Sequence, residues 1–344
     1  MTPDEKHMRR ALTLAGKGLG FTSPNPPVGA VIVDENEMVL GEGWHRGAGQ
    51  AHAEVLAIED ARRRFGEEIN FDRSTLYVTL EPCSTRGRTG ACTDAILEGR
   101  FRRVVIGTAD PNPKHSGAAI SILRNRGVEV ECGCLESKAT DLIRFFAKHV
   151  TTGRPYLIAK SAITLDGRTT LRNGDGPWIS SKESRRDVQR WRRRIDAILI
   201  GGETLRRDNP RLTLRGAFAK GRPQPWRIVL SQSGDLPEEA YPFTDSHRDR
   251  TRVFVGESLE AVLDRLGAEG VTSAMLESGG RLFGAALSAG LIDEIILYVA
   301  PFLGGGSTGL GSPGGFLADL ESPTFKRFGN DIRVIGRPRL RPLS

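Results

Sequence analysis

Residues 79–92 read TLEPCSTRGRTGAC, and the reading of its two cysteines decides the fold of the N-terminal half. Cys83 follows an apolar, β-branched run (STLYVTL, 74–80) and so stands at a strand end. A second thiol two residues further on is a frequent zinc spacing, but here eight residues lie between Cys83 and Cys92. Either the pair holds no metal, or a loop has been built between two ligands. Cys92 opens the helical pattern TDAILEG, and QAHAEVLA (50–57) puts His52 and Glu54 at another helix start. Each signal alone is weak. The ordered set of His-x-Glu, strand, Pro-Cys and a helix-opening Cys is far more demanding, and it points to zinc. Three ligands, His52, Cys83 and Cys92, leave a fourth position for water. Glu54, on the same turn as His52, is placed to carry protons without binding the metal.

Around this stretch the pattern alternates strand and helix. Thr2-Pro3-Asp4-Glu5 is a helix start with a capping box. Met8, Ala11, Leu12, Ala15 and Leu19 then recur at helical spacing, and Gly18 and Gly20 close the helix. PVGAVIV and MVLGEGW form a hairpin around DENE. Strands at STLYVTL, RRVVIGT and VEVECGCL alternate with helices near 52–61, TDAILEG and GAAISILRNRG, which predicts a layered α/β domain. Near residue 150 the rhythm restarts, giving domains 1–150 and 151–344. The second has strands at PYLIAKSA, AILIGG, RIVLS, RVFVG, SAML and DEIILYVAPFL, and helices at SKESRRDVQRWRRR, 258–269 and RLFGAALSAG. The Gly-rich stretch 303–315 reads as a mobile surface loop.

Composition is that of a globular protein, 38% apolar and 26% charged. No run approaches the roughly 18 apolar residues of a membrane span, and the N-terminus has no secretory pattern. A cytoplasmic protein without membrane contact is expected. Four cysteines are too few for a disulfide framework, so Cys132 and Cys134 are expected to be plain thiols. The net charge of +7 suits an anionic ligand without choosing one.

His52-Ala53-Glu54, Glu81-Pro82-Cys83 and Cys92 resemble the cytidine/deoxycytidylate deaminase superfamily. More narrowly, TSPNPPVGAVIV, GEGWHRGAGQAHAEV, LEPCSTRGRTGACTDAI and DPNP resemble the deaminase half of the bifunctional riboflavin-biosynthesis deaminase–reductases, whose cysteines share this wide spacing. The resemblance implies a cytidine-deaminase-like three-layer α/β/α domain. It also implies hydrolytic removal of the 2-amino group from a 2,5-diamino-6-ribosylaminopyrimidinone 5′-phosphate. Asn25 and His45 fall at substrate positions. Arg88, with Arg86 beside it, offers a cation for the phosphate. Thr85 stands where the family often has His.

AKSAITLDGRTT, GPWIS, AILIGGETLRRDNPRLTLR and LESGGRLFGAAL resemble the reductase half of the same family. That implies a dihydrofolate-reductase-like α/β domain reducing the ribosyl chain to ribityl with NADPH. The turn after SAML favours phosphate at a helix N-terminus, although the G-x-G-x-x-G fingerprint is absent. The resemblance places cofactor contacts at Ala162, Trp178, Thr204, Asp208 and the run Gly279, Gly280, Arg281, Leu282, Phe283, Gly284 and Ala285. It places substrate contacts at Arg192, Leu212, Arg215 and Glu277. Lys160 and Asp208 are the nearest groups for assisting the opened sugar. Gly176 stands where the family usually has Ser. The expected partner is a small phosphorylated pyrimidine rather than nucleic acid, in a homo-oligomer of two or four chains. A nucleic-acid deaminase is disfavoured by the cysteine spacing and the second domain. Loss of catalysis is disfavoured by the intact His52, Glu54, Cys83 and Cys92.

Overall fold

A computed structural model describes residues 1–85, 90–171, 178–311 and 315–341. The chain divides into two compact units, Met1–Gly153 and Arg154–Ser344, against a join expected between 150 and 151.

In the first unit, strands β1 (Gly29–Val33), β2 (Val39–Trp44), β3 (Thr75–Val78), β4 (Arg103–Ile106) and β5 (Glu129–Cys132) form one sheet in the order β2-β1-β3-β4-β5. β1 runs antiparallel to β2 and β3, whereas β3, β4 and β5 are parallel. The helices are α1 (Pro3–Gly16), α2 (Ala53–Phe65), α3 (Cys92–Glu98), α4 (Ala118–Asn125), α5 (Glu136–Leu142) and α6 (Arg144–Thr152). β1 is apolar throughout because both of its faces are covered. Ala30 and Ile32 pack with Ala53, Ala57 and Ile96 from α2 and α3, while Val31 and Val33 pack with Met8, Ala11 and Leu14 of α1. The result is three layers, α/β/α. The capping box of Thr2 and Glu5 is present. The helix it starts stops at Gly16, short of Gly18 and Gly20, so Leu19 lies in the turn beyond it.

The second unit holds β6 (Tyr156–Thr164), β7 (Ala197–Gly201), β8 (Trp226–Ser231), β9 (Thr251–Val255), β10 (Ser273–Glu277), β11 (Glu294–Ala300), β12 (Ala318–Phe328) and β13 (Asp331–Leu340). Their order is β12-β13-β11-β6-β10-β7-β8-β9. The six strands from β6 to β11 are parallel, and the hairpin β12–β13 adds antiparallel beside β11. Helices α7 (Lys182–Arg192), α8 (Gly202–Asp208), α9 (Tyr241–Thr244), α10 (Leu259–Ala268) and α11 (Arg281–Ser288) accompany it. Leu157, Leu199, Ile228 and Leu276 pack against Val262 and Leu266 of α10 and Phe283 and Leu287 of α11. Ile158, Ile198, Val229 and Met275 are fully buried as well. Since side chains alternate along a strand, both faces of the central strands are therefore covered.

The Gly-rich stretch differs from its expectation. Asp166 accepts hydrogen bonds from the amides of Gly304 (2.8 Å) and Gly305 (3.1 Å). The Thr169 amide donates to the Thr308 carbonyl (2.9 Å), and the Gly311 amide to that of Gly279 (2.7 Å). Residues 304–311 are thus pinned along the turn after β6. Gly306 permits close approach there: a Cβ on it would lie 1.8 Å from the Thr170 carbonyl oxygen.

Candidate functional site

The metal-ligand candidates are positioned by two close contacts. β2 carries Gly41 and Gly43, where an added Cβ would lie 2.2 Å from the carbonyl oxygens of Ala57 and Ala53 respectively. With no side chain between them, α2 rests directly on the strand, and this fixes the depth of His52 and Glu54 at its start. On the other side, the Thr93 amide donates to the Cys83 carbonyl (3.2 Å). The start of α3, with Cys92, is so tied to the strand end bearing Cys83.

The three ligand atoms converge. His52 Nδ1 is 3.0 Å from Cys92 Sγ and 3.5 Å from Cys83 Sγ, and the two sulfurs are 3.3 Å apart. Bonds of about 2.3 Å to sulfur and 2.1 Å to nitrogen give a zinc tetrahedron edges of roughly 3.6–3.8 Å. A spread of a few tenths of an ångström therefore seats the ion, and two thiols with an imidazole are a zinc donor set. The hydrogen bond shared with Cys92 pushes the Cys83 pKa down to about 4, with help from His52. Cys92 moves the other way, through the same hydrogen bond and burial. The opposite shifts share one cause, a hydrogen bond between the two sulfurs. His52 is raised by Cys83 and by Glu54. Glu54 is buried, 3% exposed, and burial raises its pKa, as a carboxyl that must both take and give a proton requires.

Asn25 and His45 join this cluster. The His45 ring meets that of His52 edge-on at 5.4 Å. His45 Nδ1 lies 3.2 Å from the Ala51 carbonyl, which can only accept. Nδ1 is therefore the donor, and Nε2, in the neutral ring favoured by burial, accepts from the Asn25 amide at 3.2 Å. Asn25 is so held with a fixed orientation. Thr85 is exposed. Arg86 and Arg88 lie outside the described residues.

In the second unit a charged cluster forms on adjacent strands. Glu277 at the end of β10 is in register with Lys160 on β6. Arg192 at the end of α7 makes a two-pronged pair with Glu277 (2.7 and 2.9 Å) and also donates to the Thr213 carbonyl (3.2 Å). Burial works to raise the Glu277 pKa, but Arg192 and Lys160 outweigh it and keep the carboxyl below its ordinary value. Lys160 is lowered, chiefly by burial, with Glu277 opposing. Arg215 stands near Arg192 and Glu277; burial and the neighbouring cations lower its pKa. Leu212 is 1% exposed and adopts φ 53°, a strained backbone for a leucine, one residue before the Thr213 carbonyl that Arg192 binds.

The turn from β10 into α11 lies next to this cluster. A Cβ on Gly279 would come within 2.4 Å of Thr169 Cγ2 and 2.8 Å of Ser161 Oγ, so only glycine fits. Gly284 is equally confined, with the Gly311 carbonyl oxygen 2.5 Å from the position of a Cβ. Thr169 and Ser161, which sequence reasoning passed over, thus shape this turn; their only sequence signal is the glycine they press on. Along 279–285, Gly279, Gly280 and Leu282 are half-buried and Arg281 and Ala285 exposed, but the Phe283 ring is a core side chain. Only the backbone of Phe283 can face a ligand. Ala162 and Thr204 are half-buried on β6 and α8, and Asp208 is exposed at the last residue of α8, while Lys160 lies against Glu277. Trp178 is 58% exposed, with Arg185 over its ring at 4.8 Å, so it is no core residue. Gly176 lies outside the described residues.

A half-buried His/Cys/Cys centre with a buried Glu in one unit, and a Lys/Arg/Glu cluster beside a glycine-lined turn in the other, define a zinc hydrolase joined to a nucleotide-dependent reductase. Residues 1–108 match the family model described as the cytidine and deoxycytidylate deaminase zinc-binding region, and residues 155–334 match the RibD C-terminal domain. The chain is 38% identical over 331 residues to the riboflavin biosynthesis protein RibD of Aquifex aeolicus (strain VF5), covering 90% of each chain. It superimposes on Acinetobacter baumannii RibD with a TM-score of 0.88 at 35% identity, covering 98% of this chain and 99% of that one. A Thermotoga maritima structure described as a diaminohydroxyphosphoribosylaminopyrimidine deaminase/5-amino-6-(5-phosphoribosylamino)uracil reductase gives 0.84 at 34% identity, with coverage of 98% and 99%. The chain belongs to the RibD family of bifunctional riboflavin-biosynthesis enzymes, a deaminase and a reductase in one polypeptide with zinc and NADPH as cofactors. Its units have the cytidine-deaminase-like and dihydrofolate-reductase-like folds.

Proposed function

We propose that Met1–Gly153 deaminates 2,5-diamino-6-(5-phosphoribosylamino)pyrimidin-4(3H)-one to the corresponding uracil, and that Arg154–Ser344 then reduces its ribosyl chain to ribityl. The convergence of His52, Cys83 and Cys92 on one point beside buried Glu54 carries this reading. Zinc, when bound there, supplies a Lewis acid and an activated water at neutral pH. Glu54 takes a proton on the attacking side and returns it to the departing amine, which leaves as ammonia. Asn25, oriented by His45, reads the pyrimidinone edge, and Arg88 meets the phosphate. In the second unit NADPH supplies the hydride. Backbone amides at the start of α11 bind the cofactor phosphates, with Ala162, Trp178, Thr204 and Asp208 completing its contacts. Lys160, polarised by Glu277 and Arg192, donates a proton to the opened sugar, and Arg215 meets its 5′-phosphate. Leu212, whose side chain is buried, contributes to the substrate site through its backbone.

No helix among the described residues is long and apolar enough to cross a membrane. We place the enzyme in the cytoplasm as a homo-oligomer of two or four chains; a single-chain mass by light scattering at micromolar concentration would overturn the latter. The functional test is turnover of the diaminopyrimidinone phosphate with and without NADPH. Without cofactor the product is expected to stop at the deaminated, unreduced stage. Reduction of the substrate before deamination would refute the order.

A further inference from the structure

We propose that Glu81 is a positioning residue of the deaminase site, holding the loop 110–117 and the start of α4 against the strand end that presents Cys83. The proposal rests on the assignment of deamination to this unit. Glu81 is 4% exposed and lies two residues before Cys83. Its own amide donates to the Thr108 carbonyl (2.9 Å), which fixes its backbone to the strand end after β4. Its carboxylate accepts from four backbone amides: Oε2 from Asp110 (3.1 Å) and Gly117 (2.9 Å), Oε1 from Ala119 (3.0 Å) and Ile120 (3.4 Å).

A buried carboxylate is costly unless its charge is met by hydrogen bonds. Here the amides of a loop and a helix start meet it, and the helix dipole adds to the match. The loop (Asp-Pro-Asn-Pro-Lys-His-Ser-Gly) contains no regular element. Its prolines remove amide donors, and its internal ties are local: Asn112 N to Asp110 Oδ1 (2.8 Å), Lys114 N to Asn112 Oδ1 (3.1 Å), and the His115 and Ser116 amides to the Asn112 carbonyl (2.9 and 3.0 Å). Both ends of the loop are therefore held by the single carboxylate of Glu81. The segment so held lies beside the strand end that presents Cys83, since the amide of Asp110, half-buried at its first position, is bonded to a side chain only two residues before that cysteine. The chemistry demands Glu at this place. Glutamine has one acceptor oxygen, and its NH2 would point at amides that are themselves donors. Aspartate is one methylene too short to span from the strand end to α4.

The test is Glu81→Gln in the full chain. Bound zinc reports that the deaminase unit is folded with its metal site intact, and reduction of the deaminated substrate by the same chain reports the second unit. We expect both to stay at the wild-type level, while deaminase kcat/KM falls at least tenfold, mainly through KM. Amide exchange at Asp110, Gly117 and Ala119 should accelerate with it. Deaminase kinetics within twofold of wild type, despite faster exchange, would overturn the proposal. So would loss of zinc in proportion to activity, which would mean that Glu81 serves the metal and not the loop. Should the variant not fold, hydrogen exchange of the wild-type protein decides: amides of Asp110 and Gly117 protected at least a hundredfold support the anchor, and unprotected ones overturn it. A wild-type chain without any deaminase turnover would instead refute the functional assignment itself, leaving the exchange result to stand apart.

Discussion

Two residues carry the sharpest chemical expectations. Glu54 is buried beside His52, and its pKa is raised by that burial, which suits the proton-transfer role proposed for it. Glu54→Gln keeps the shape and a hydrogen-bonding head but cannot shuttle a proton. Zinc content should stay stoichiometric while the deamination rate falls on the order of 10²–10⁴-fold; turnover within tenfold of wild type would assign the proton to another group. In the reductase unit the choice of test residue matters. Arg192 is tied to Glu277 in a buried pair, and removing one partner of such a pair costs about 3–5 kcal/mol, so its loss would confuse folding with binding. Arg215 is exposed and linked to the fold by a backbone hydrogen bond from its amide to Gln189 Oε1 (3.1 Å). Arg215→Ala should leave stability nearly unchanged and weaken the phosphorylated substrate by roughly tenfold to a hundredfold, the worth of one charge-assisted bond. An equal loss for the dephosphorylated analogue would show that Arg215 does not meet the phosphate.

At the scale of elements, the turn after β6 and the Gly-rich segment behave as one piece. Asp166 holds Gly304 and Gly305, and the same segment runs on to press Gly311 against Gly279 and Gly284. Asp166→Ala should release that wall of the cofactor turn, raising KM for NADPH several-fold with little change in kcat and none in deamination. An unchanged KM would detach the segment from the cofactor site. Such coupling is not legible in the sequence, because runs of glycine look alike whether they move or permit close contact. The regular strands and the helices with a clear apolar stripe were legible, from β1 to β11, because burial forces a pattern on most of them and the β-branched run RVFVG marks the largely uncovered β9. The hairpin β12–β13 was not: ADLESPTFKRF is largely exposed and mostly polar, so no face of it declares itself. α8 was missed because its seven residues follow β7 directly, and Gly201-Gly202 at the junction reads as a turn and not as a helix start. α5 and α6 are short, and α6 has no fully buried residue. The site shows the same division. Metal ligands and Glu54 stand out because their chemistry restricts residue type and order. Glu81 does not, because a carboxylate satisfied by backbone amides requires no partner side chain that a sequence could display.

The whole molecule joins two sheets with separate cores. The first has five strands with α/β/α layers, and the second has eight strands closed by an antiparallel hairpin. Each candidate centre is built from residues of one unit alone. His52, Glu54, Cys83 and Cys92 precede Gly153, whereas Lys160, Arg192, Arg215 and Glu277 follow it. The chemistry is divided in the same way, since zinc serves hydrolysis and the nucleotide serves hydride transfer. Removal of one cofactor should therefore silence one activity only. Treatment with a strong chelator is expected to abolish deamination and to leave NADPH oxidation on the pre-deaminated substrate within twofold of its starting rate. Adding back zinc should restore the first activity without altering the second. The thiols supply an independent readout. Cys83, half-buried and with its pKa lowered by the hydrogen bond to Cys92 and by His52, should become reactive toward a thiol reagent when zinc is removed and be shielded when it returns. Loss of both activities on chelation would mean that the reductase unit depends on an intact metal centre, and the division of labour drawn from the two cores would fail.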